Sequence, residues 1–170
     1  MLVAASQTSE VDSATGIQRV VRNLCYELID LMTEDGSSVG WRVVYFTNDD
    51  RSFYEIDAIR GRGVQKVERV DSKRIFPSMD DKLLLLDSTW IEQFNQRERF
   101  QAYALNGVDL IICLYDLVPI KTPAFFDVGM PIHFSNWLKA SLTYSNKFVA
   151  ISRAVADELY DHLCGSDFPR

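Results

Sequence analysis

Residues 12–24 read DSATGIQRVVRNL, and they decide how the start of this chain folds. A short apolar run, Leu2–Ala5, precedes them, and an amphipathic helical pattern begins at Ile17. Small residues around Gly16 join the two, which is typical of the turn from a buried strand to a helix in an α/β protein. A helix that begins there points unpaired backbone N–H groups and the positive end of its dipole forward. The stretch therefore predicts a position suited to a phosphate or another anion.

Short apolar strands and helical patterns alternate along the rest of the chain. Beyond Leu2–Ala5, strands are predicted at Trp41–Thr47, Val64–Val70 (an edge strand), Lys82–Asp87, Val108–Tyr115 and Lys147–Ile151. Helices are predicted from Ile17 to Gly36, within 48–63, at Trp90–Asn106, at Ile132–Tyr144, and from a cap at Ser152 to Leu163. The first helix is expected to bury Ile17, Val20, Val21, Leu24, Leu28, Leu31 and Met32. The short helix within 48–63 is expected to place Phe53, Ile56 and Ile59 on one side, and residues 116–131 are expected to form a long loop with one short helical turn.

This alternation predicts one α/β domain over residues 1–170. Short apolar strands separated by helices favour a mostly parallel sheet with helices on both faces, joined by right-handed crossovers. A chain of 170 residues with 47% hydrophobic content can bury one such core. We therefore expect a single Rossmann-like three-layer sandwich.

The composition of the chain limits the classes of partner and the cellular compartment that we expect for it. A net charge of −6 argues against general nucleic-acid binding, which usually requires a basic excess. Basic residues do gather at 60–74, but Glu68 and Asp71 interrupt them, so a solvated surface is favoured over a polyanion patch. The three cysteines show neither disulfide nor metal spacing, which indicates ordinary thiols in a reducing compartment. No apolar run is long enough for a membrane span, so we expect a cytoplasmic protein.

Polar residues gather where the predicted strands end. Ligands of parallel α/β sheets bind outside the carboxyl ends of the strands. The first strand leads to Thr15 and Gly16, with Arg19 one helical turn further on. The other candidate residues at these ends are Asp87, Trp90, Asp116 and Ser152. Their convergence on one rim predicts a ligand site there.

Each candidate also has a purely structural interpretation. Gly16 can simply begin a helix and Arg19 can be solvated, whereas Asp87 and Asp116 are both typical of turns that bond their own backbone. Trp90 is compatible with the core as well as with a sugar platform, and Ser152 is typical of a helix N-cap. Metal binding is not expected, because His133 and His162 lack ligands at suitable spacing. The Gly-x-Ser-x-Gly, Gly-x-Gly-x-x-Gly and P-loop motifs do not occur, which argues against a serine hydrolase, a classical NAD enzyme and a P-loop NTPase.

Four segments occur in a characteristic order along the chain: Thr15–Leu24, Leu86–Trp90, Tyr115–Ile120 and Ala150–Leu159. Together they resemble bacterial glycosyltransferases of family 4, especially the mannosyltransferase-like enzymes of O-antigen and capsular polysaccharide synthesis. The chain departs from the pattern at Ala4, where relatives often carry an acidic residue. The resemblance implies a GT-B fold, in which two Rossmann-like domains face each other across a cleft, and this chain resembles the N-terminal, acceptor-side half.

The resemblance also implies an activity. The full-length reaction would move a sugar from a nucleotide-sugar donor to a glycan acceptor with retained configuration, with no cofactor and no required metal. Thr15, Gly16 and Arg19 would lie near the donor diphosphate. Asp116 would be the catalytic residue, which either orients the acceptor or lies near the sugar. Asp87, Trp90 and Ser152 would line the substrate rim, with Trp90 beside the acceptor ring. The family's Glu-x7-Glu motif does not occur after Leu163, so the nucleotide-sugar domain is expected to be absent and the fragment inactive by itself. Peripheral association with the inner face of the membrane is compatible with this activity.

The sequence is also compatible with two other functions. One is a non-catalytic Rossmann-like module that binds a glycan or a phosphorylated ligand. The other is a flavodoxin-like or receiver-like signalling domain, but a receiver needs acidic residues at the end of the first strand, where this chain has Ala4 and Ala5.

Overall fold

The computed structural model of the protein describes residues 1–6, 8, 15–34, 40, 42–47, 52–56, 69–91 and 95–165. Within these ranges the chain forms seven strands and five α-helices. The strands are β1 (Leu2–Ala4), β2 (Arg42–Thr47), β3 (Ser52–Ile56), β4 (Arg69–Ile75), β5 (Lys82–Leu85), β6 (Asp109–Leu114) and β7 (Lys147–Ala150). The helices are α1 (Gly16–Glu34), α2 (Gln96–Leu105), α3 (Val118–Lys121), α4 (Gly129–Tyr144) and α5 (Arg153–Cys164).

All seven strands belong to one mostly parallel sheet in the order β4-β3-β2-β1-β5-β6-β7. Strands β2, β1, β5, β6 and β7 are parallel neighbours, and β3 and β4 extend the sheet as antiparallel strands beside β2. The predicted strands β1, β2, β5, β6 and β7 are confirmed. The α/β fold class is confirmed with them.

The helices lie on both faces of this sheet. The chain moves from β1 to β2 in one direction through α1, and from β5 to β7 in the other direction through α2 and α4. Right-handed crossovers in opposite directions place their helices on opposite faces. In agreement, α2 and α4 pack against each other. The result is a three-layer, Rossmann-like arrangement.

An aromatic cluster anchors α4 to the loop after β5. The rings of Trp90, Phe134 and Trp137 lie 5.1–5.3 Å apart between centroids, in edge-to-face and tilted geometry. Trp137 Nε1 also donates a hydrogen bond of 2.9 Å to the hydroxyl of Thr89. Buried indole N–H groups need such an acceptor. The cluster therefore fixes the residues that follow β5.

The predicted helix within 48–63 is wrong where the structure describes this segment, because Ser52–Ile56 forms β3. Phe53 pairs with Phe46 across the antiparallel ladder, and their rings meet edge to face at 5.2 Å. This cross-strand contact buries Phe53, which a short surface helix would not do. The predicted edge strand Val64–Val70 lies mostly outside the described residues; the edge strand that the structure describes is β4, Arg69–Ile75.

The buried face of α1 differs in part from the predicted one. Val21 is buried as expected, but Val20 and Leu24 are 37% and 44% exposed. Gln18 and Cys25 are buried instead. The face is therefore rotated toward the 18–21–25 side of the helix. The side chains of Leu31 and Met32, the predicted end at Gly36, and the basic residues at 60–68 lie outside the described residues.

Two further boundaries were predicted only roughly. Helix α2 begins at Gln96 rather than at Trp90, because Asn95 caps it, and Trp90 lies in a 3₁₀ turn at Thr89–Ile91. The predicted loop at 116–131 contains the short helix α3 and a 3₁₀ turn at Pro123–Phe125.

Candidate functional site

The strand order identifies where a ligand crevice lies. From β1 the chain proceeds to β2 on one side, whereas β5, β6 and β7 follow on the other side. The carboxyl ends of β1 and β5 therefore flank the topological switch point, which is where open α/β sheets bind ligands. A ligand in this crevice would therefore contact the residues that follow β1 and β5.

A capping box starts the helix that follows β1. The Thr15 hydroxyl accepts a hydrogen bond from Gln18 N, and the Gln18 side chain accepts one from Thr15 N, both at 3.3 Å. This reciprocal pair satisfies two of the groups at the helix start. Among the described residues, the N–H groups of Gly16 and Ile17 have no hydrogen-bond partner. With respect to the described residues, the start of α1 therefore presents two donors without a partner and the positive end of a 19-residue helix.

Space and charge at this terminus fit an anion. A Cβ atom added to Gly16 would meet no atom of the described residues within 4 Å, so these residues leave the backbone there open to close approach. Arg19 is exposed, and no ion pair occupies its guanidinium among the described residues. A guanidinium one turn from two free N–H groups is an arrangement suited to phosphate oxygens.

Asp87 lies at the switch point but not on the surface. It is 1% exposed, and its carboxylate accepts hydrogen bonds from Thr8 N at 2.5 Å and Ser88 N at 2.8 Å. One bond spans 79 residues of sequence and joins the segment after β1 to the segment after β5. Asp87 thus ties the two sides of the crevice together through backbone N–H groups.

The charge of Asp87 acts on a buried thiol, Cys25, and on a buried phenol, Tyr115. Burial, and to a smaller degree the charge of Asp87, raises the pKa of the Cys25 thiol to about 12. Burial likewise raises the pKa of Cys113 and of Tyr115, whose hydroxyl donates a 2.7 Å hydrogen bond to the Leu86 carbonyl. These groups are held neutral, so they support the crevice as packed polar core rather than as nucleophiles.

The Cys25 thiol makes the stability of the protein sensitive to alkaline pH. Its pKa rises from 9.0 in the unfolded reference to about 12, so the contribution is complete below pH 9 and is lost as pH rises toward 12. We expect the free energy of unfolding to fall above pH 9 with a Cys25 contribution of up to about 1.4 kcal/mol per pH unit. Urea denaturation at pH 8, 9 and 10 measures this slope, and Cys25→Val should reduce it. An equal fall in the free energy of unfolding with pH in the wild-type protein and in Cys25→Val would contradict the assignment of this effect to Cys25.

The side chains of Asp116 and Ser152 each accept a hydrogen bond from a backbone N–H group two or three residues further along the chain. Asp116 Oδ1 accepts a 3.0 Å hydrogen bond from Val118 N, which closes the turn into α3, although the side chain remains partly exposed. Ser152 caps α5 by accepting a 3.3 Å bond from Val155 N, as its sequence position predicts. Because β5, β6 and β7 are neighbours, Asp87, Asp116 and Ser152 follow adjacent strands along one edge.

The structure favours the core interpretation of Trp90. Its side chain is 9% exposed and lies in the aromatic cluster with Phe134 and Trp137. A sugar platform needs an accessible ring face, which this ring does not offer.

Sequence reasoning missed two residues of this region. Thr8 supplies the N–H that Asp87 binds, and nothing in its local pattern indicates a partner 79 residues away. Gln18 completes the capping box, and the Thr-x-x-Gln spacing of Thr15 and Gln18 could have identified it.

Comparisons with known proteins give no relative from which the role of this site could be inferred. No family model matches the chain, and no curated protein or solved structure matches it at a significant level. None of the helices in the described ranges is both long and apolar enough to cross a bilayer. Over the same ranges, no group of three or more His, Cys, Asp or Glu side chains is placed to hold a metal ion.

Proposed function

We propose that this chain is the acceptor-side domain of a retaining glycosyltransferase with two α/β domains facing a cleft, similar to family 4 enzymes of surface polysaccharide synthesis. The observation that carries the proposal is the start of α1. Within the part of the chain that the structure describes, it combines N–H groups of Gly16 and Ile17 that have no partner, open space at Gly16 and an Arg19 without an ion pair. The four sequence segments that resemble this family include that helix start and the ends of β5, β6 and β7.

The chemistry of sugar transfer gives this helix start a role. When the bond between the sugar and the nucleoside diphosphate breaks, negative charge grows on the departing phosphate. Preorganised N–H donors and a cation at that position stabilise the charge without further reorganisation. Gly16 and Ile17 would donate to the phosphate oxygens and Arg19 would balance their charge. Most of the nucleotide would be held by a second domain.

The acceptor would bind along the same edge of the sheet. Asp116 follows β6 and keeps part of its carboxylate exposed. A carboxylate there can accept a hydrogen bond from a sugar hydroxyl and so orient the acceptor. Asp116 is therefore the side chain that we assign to the acceptor side, and the reaction requires no metal from this domain.

A non-catalytic phosphate-binding module is the second candidate. The hydrogen bond that Asp116 accepts from Val118 N favours this module over the transferase, because a structural role in the turn is enough to explain the carboxylate. Such a module would bind anions at Gly16 and would transfer no sugar. Turnover distinguishes the two functions.

Binding of inorganic pyrophosphate to the 170-residue chain tests the anion site. We expect the amide NMR signals of Gly16 and Ile17 to shift most on titration, and Arg19→Ala to weaken binding about tenfold, equivalent to about 1.4 kcal/mol. Arg153→Ala is the matched control, because Arg153 is an exposed arginine in the first turn of α5, which also starts at the carboxyl edge. An equal loss of pyrophosphate affinity in both variants, or NMR shifts centred away from Gly16, would contradict an anion site at the start of α1.

A further inference from the structure

The carboxylate of Asp87 joins the two strand ends that flank the anion site. One oxygen accepts a hydrogen bond from Thr8 N, shortly after β1, and the other accepts one from Ser88 N, after β5. Besides burial, the charge of Asp87 also helps to raise the pKa of Cys25, on the buried face of α1. One buried carboxylate therefore ties the residues after β1 to those after β5 and acts electrostatically on α1.

We propose that Asp87 is a positioning residue that holds the start of α1 in the place where it binds an anion. This inference rests on the proposed anion site and adds how that site is held. At 1% exposure, Asp87 is too buried to reach a ligand in the crevice. It acts instead through the backbone of residue 8 and through the helix.

A carboxylate is required for this arrangement, and an amide of the same shape is not equivalent. Both oxygens accept from backbone N–H groups, and bonds to a charged acceptor are stronger than neutral ones. Asparagine has one acceptor oxygen, so its NH₂ group would face either Thr8 N–H or Ser88 N–H. One buried donor would then lose its partner, and the loop after β1 would be released from β5.

The surrounding groups do not replace the carboxylate. Cys25 and Cys113 are buried thiols with raised pKa values, and the hydroxyl of Tyr115 donates to the Leu86 carbonyl. None of these three supplies a charged acceptor for Thr8 N. The position of the loop therefore depends on Asp87 itself.

The test compares Asp87→Asn with Asp81→Asn. Asp81 is the matched control, because its carboxylate accepts a local backbone hydrogen bond from Ser78 N and it lies just before β5, at the opposite end of that strand. Without ligand, Asp87→Asn should shift the amide signals of Thr8, Gly16 and Ile17 and speed their hydrogen exchange. Asp81→Asn should leave them unchanged. Pyrophosphate affinity of the folded protein should fall at least fivefold in Asp87→Asn and less than twofold in Asp81→Asn.

The two readouts separate this inference from the proposed anion site. Displaced ligand-free Gly16 and Ile17 signals in Asp87→Asn support the positioning role even where the wild-type protein does not bind pyrophosphate. Unchanged signals, or a loss of stability without any change at Gly16 and Ile17, would overturn it. If Asp87→Asn does not fold, Thr8→Pro is measured in the same way, because it removes one donor and leaves the carboxylate. Unchanged Gly16 signals in folded Thr8→Pro would also overturn the inference.

Discussion

Replacing Trp137 by Ala should lower the free energy of unfolding by about 3–5 kcal/mol, the usual cost of deleting a fully buried aromatic side chain. Trp137 is 1% exposed and packs on Trp90 and Phe134. The substitution opens a cavity and leaves the Thr89 hydroxyl without its donor. Since small domains are stable by about 5–15 kcal/mol, a large part of the protein's stability depends on this residue.

Denaturation by urea, followed by far-ultraviolet circular dichroism, measures the effect without relying on the fluorescence of the replaced ring. Trp137→Phe keeps an aromatic ring and removes the hydrogen bond to Thr89, so it should cost less than the Ala substitution. Phe125→Ala is the control, since Phe125 is 85% exposed and its loss should change stability by less than about 0.5 kcal/mol. A loss below about 1.5 kcal/mol for Trp137→Ala would contradict the cluster's role in anchoring the loop after β5.

Replacing Gly16 by Val should reduce sugar transfer by the intact gene product about 100-fold, the order expected when a phosphate loses preorganised donors. The branched side chain would occupy the space over the N–H groups of Gly16 and Ile17. Folding should be unaffected, because a Cβ at this position meets no atom of the described part of the chain within 4 Å. Steady-state turnover with a saturating nucleotide sugar measures the loss.

Gly16→Ala is the graded control for this substitution. A single methyl group leaves more of the approach open, so turnover should fall less than in Gly16→Val. Thermal denaturation of both variants checks that the fold is intact. Unchanged turnover in a folded Gly16→Val enzyme would remove the phosphate role of this helix start.

The parallel strands and most helices could be predicted because their patterns are local. The apolar runs at Leu83–Leu85 and Leu110–Leu114 and the cap at Ser152 carry their own signals. β3 could not be predicted in the same way. Phe53, Ile56 and Ile59 have a helix-like spacing, and only the contact of Phe53 with Phe46 on β2 selects the strand.

The candidate site was predictable in its location but not in its internal roles. Polar residues after successive strands must share one edge of a parallel sheet, which the chain order alone implies. The order of strands along the chain does not show how deeply each of these polar side chains is buried. Asp87 and Asp116 look alike in the sequence, yet Asp87 is buried between two loops and Asp116 is partly exposed beside its own turn. The bond from Thr8 to Asp87 depends on the sheet having formed.

Acceptor-dependent turnover of nucleotide sugars by the intact gene product tests the proposed transferase most directly. The measurement is the release of nucleoside diphosphate from a panel of donors that includes GDP-mannose, with proton NMR of the anomeric centre in the product. We expect release that requires a glycan acceptor, retained anomeric configuration, and a strong loss in Arg19→Ala but not in Arg153→Ala. No release from any donor, in a protein that still binds pyrophosphate at Gly16, would contradict the transferase and leave the phosphate-binding module.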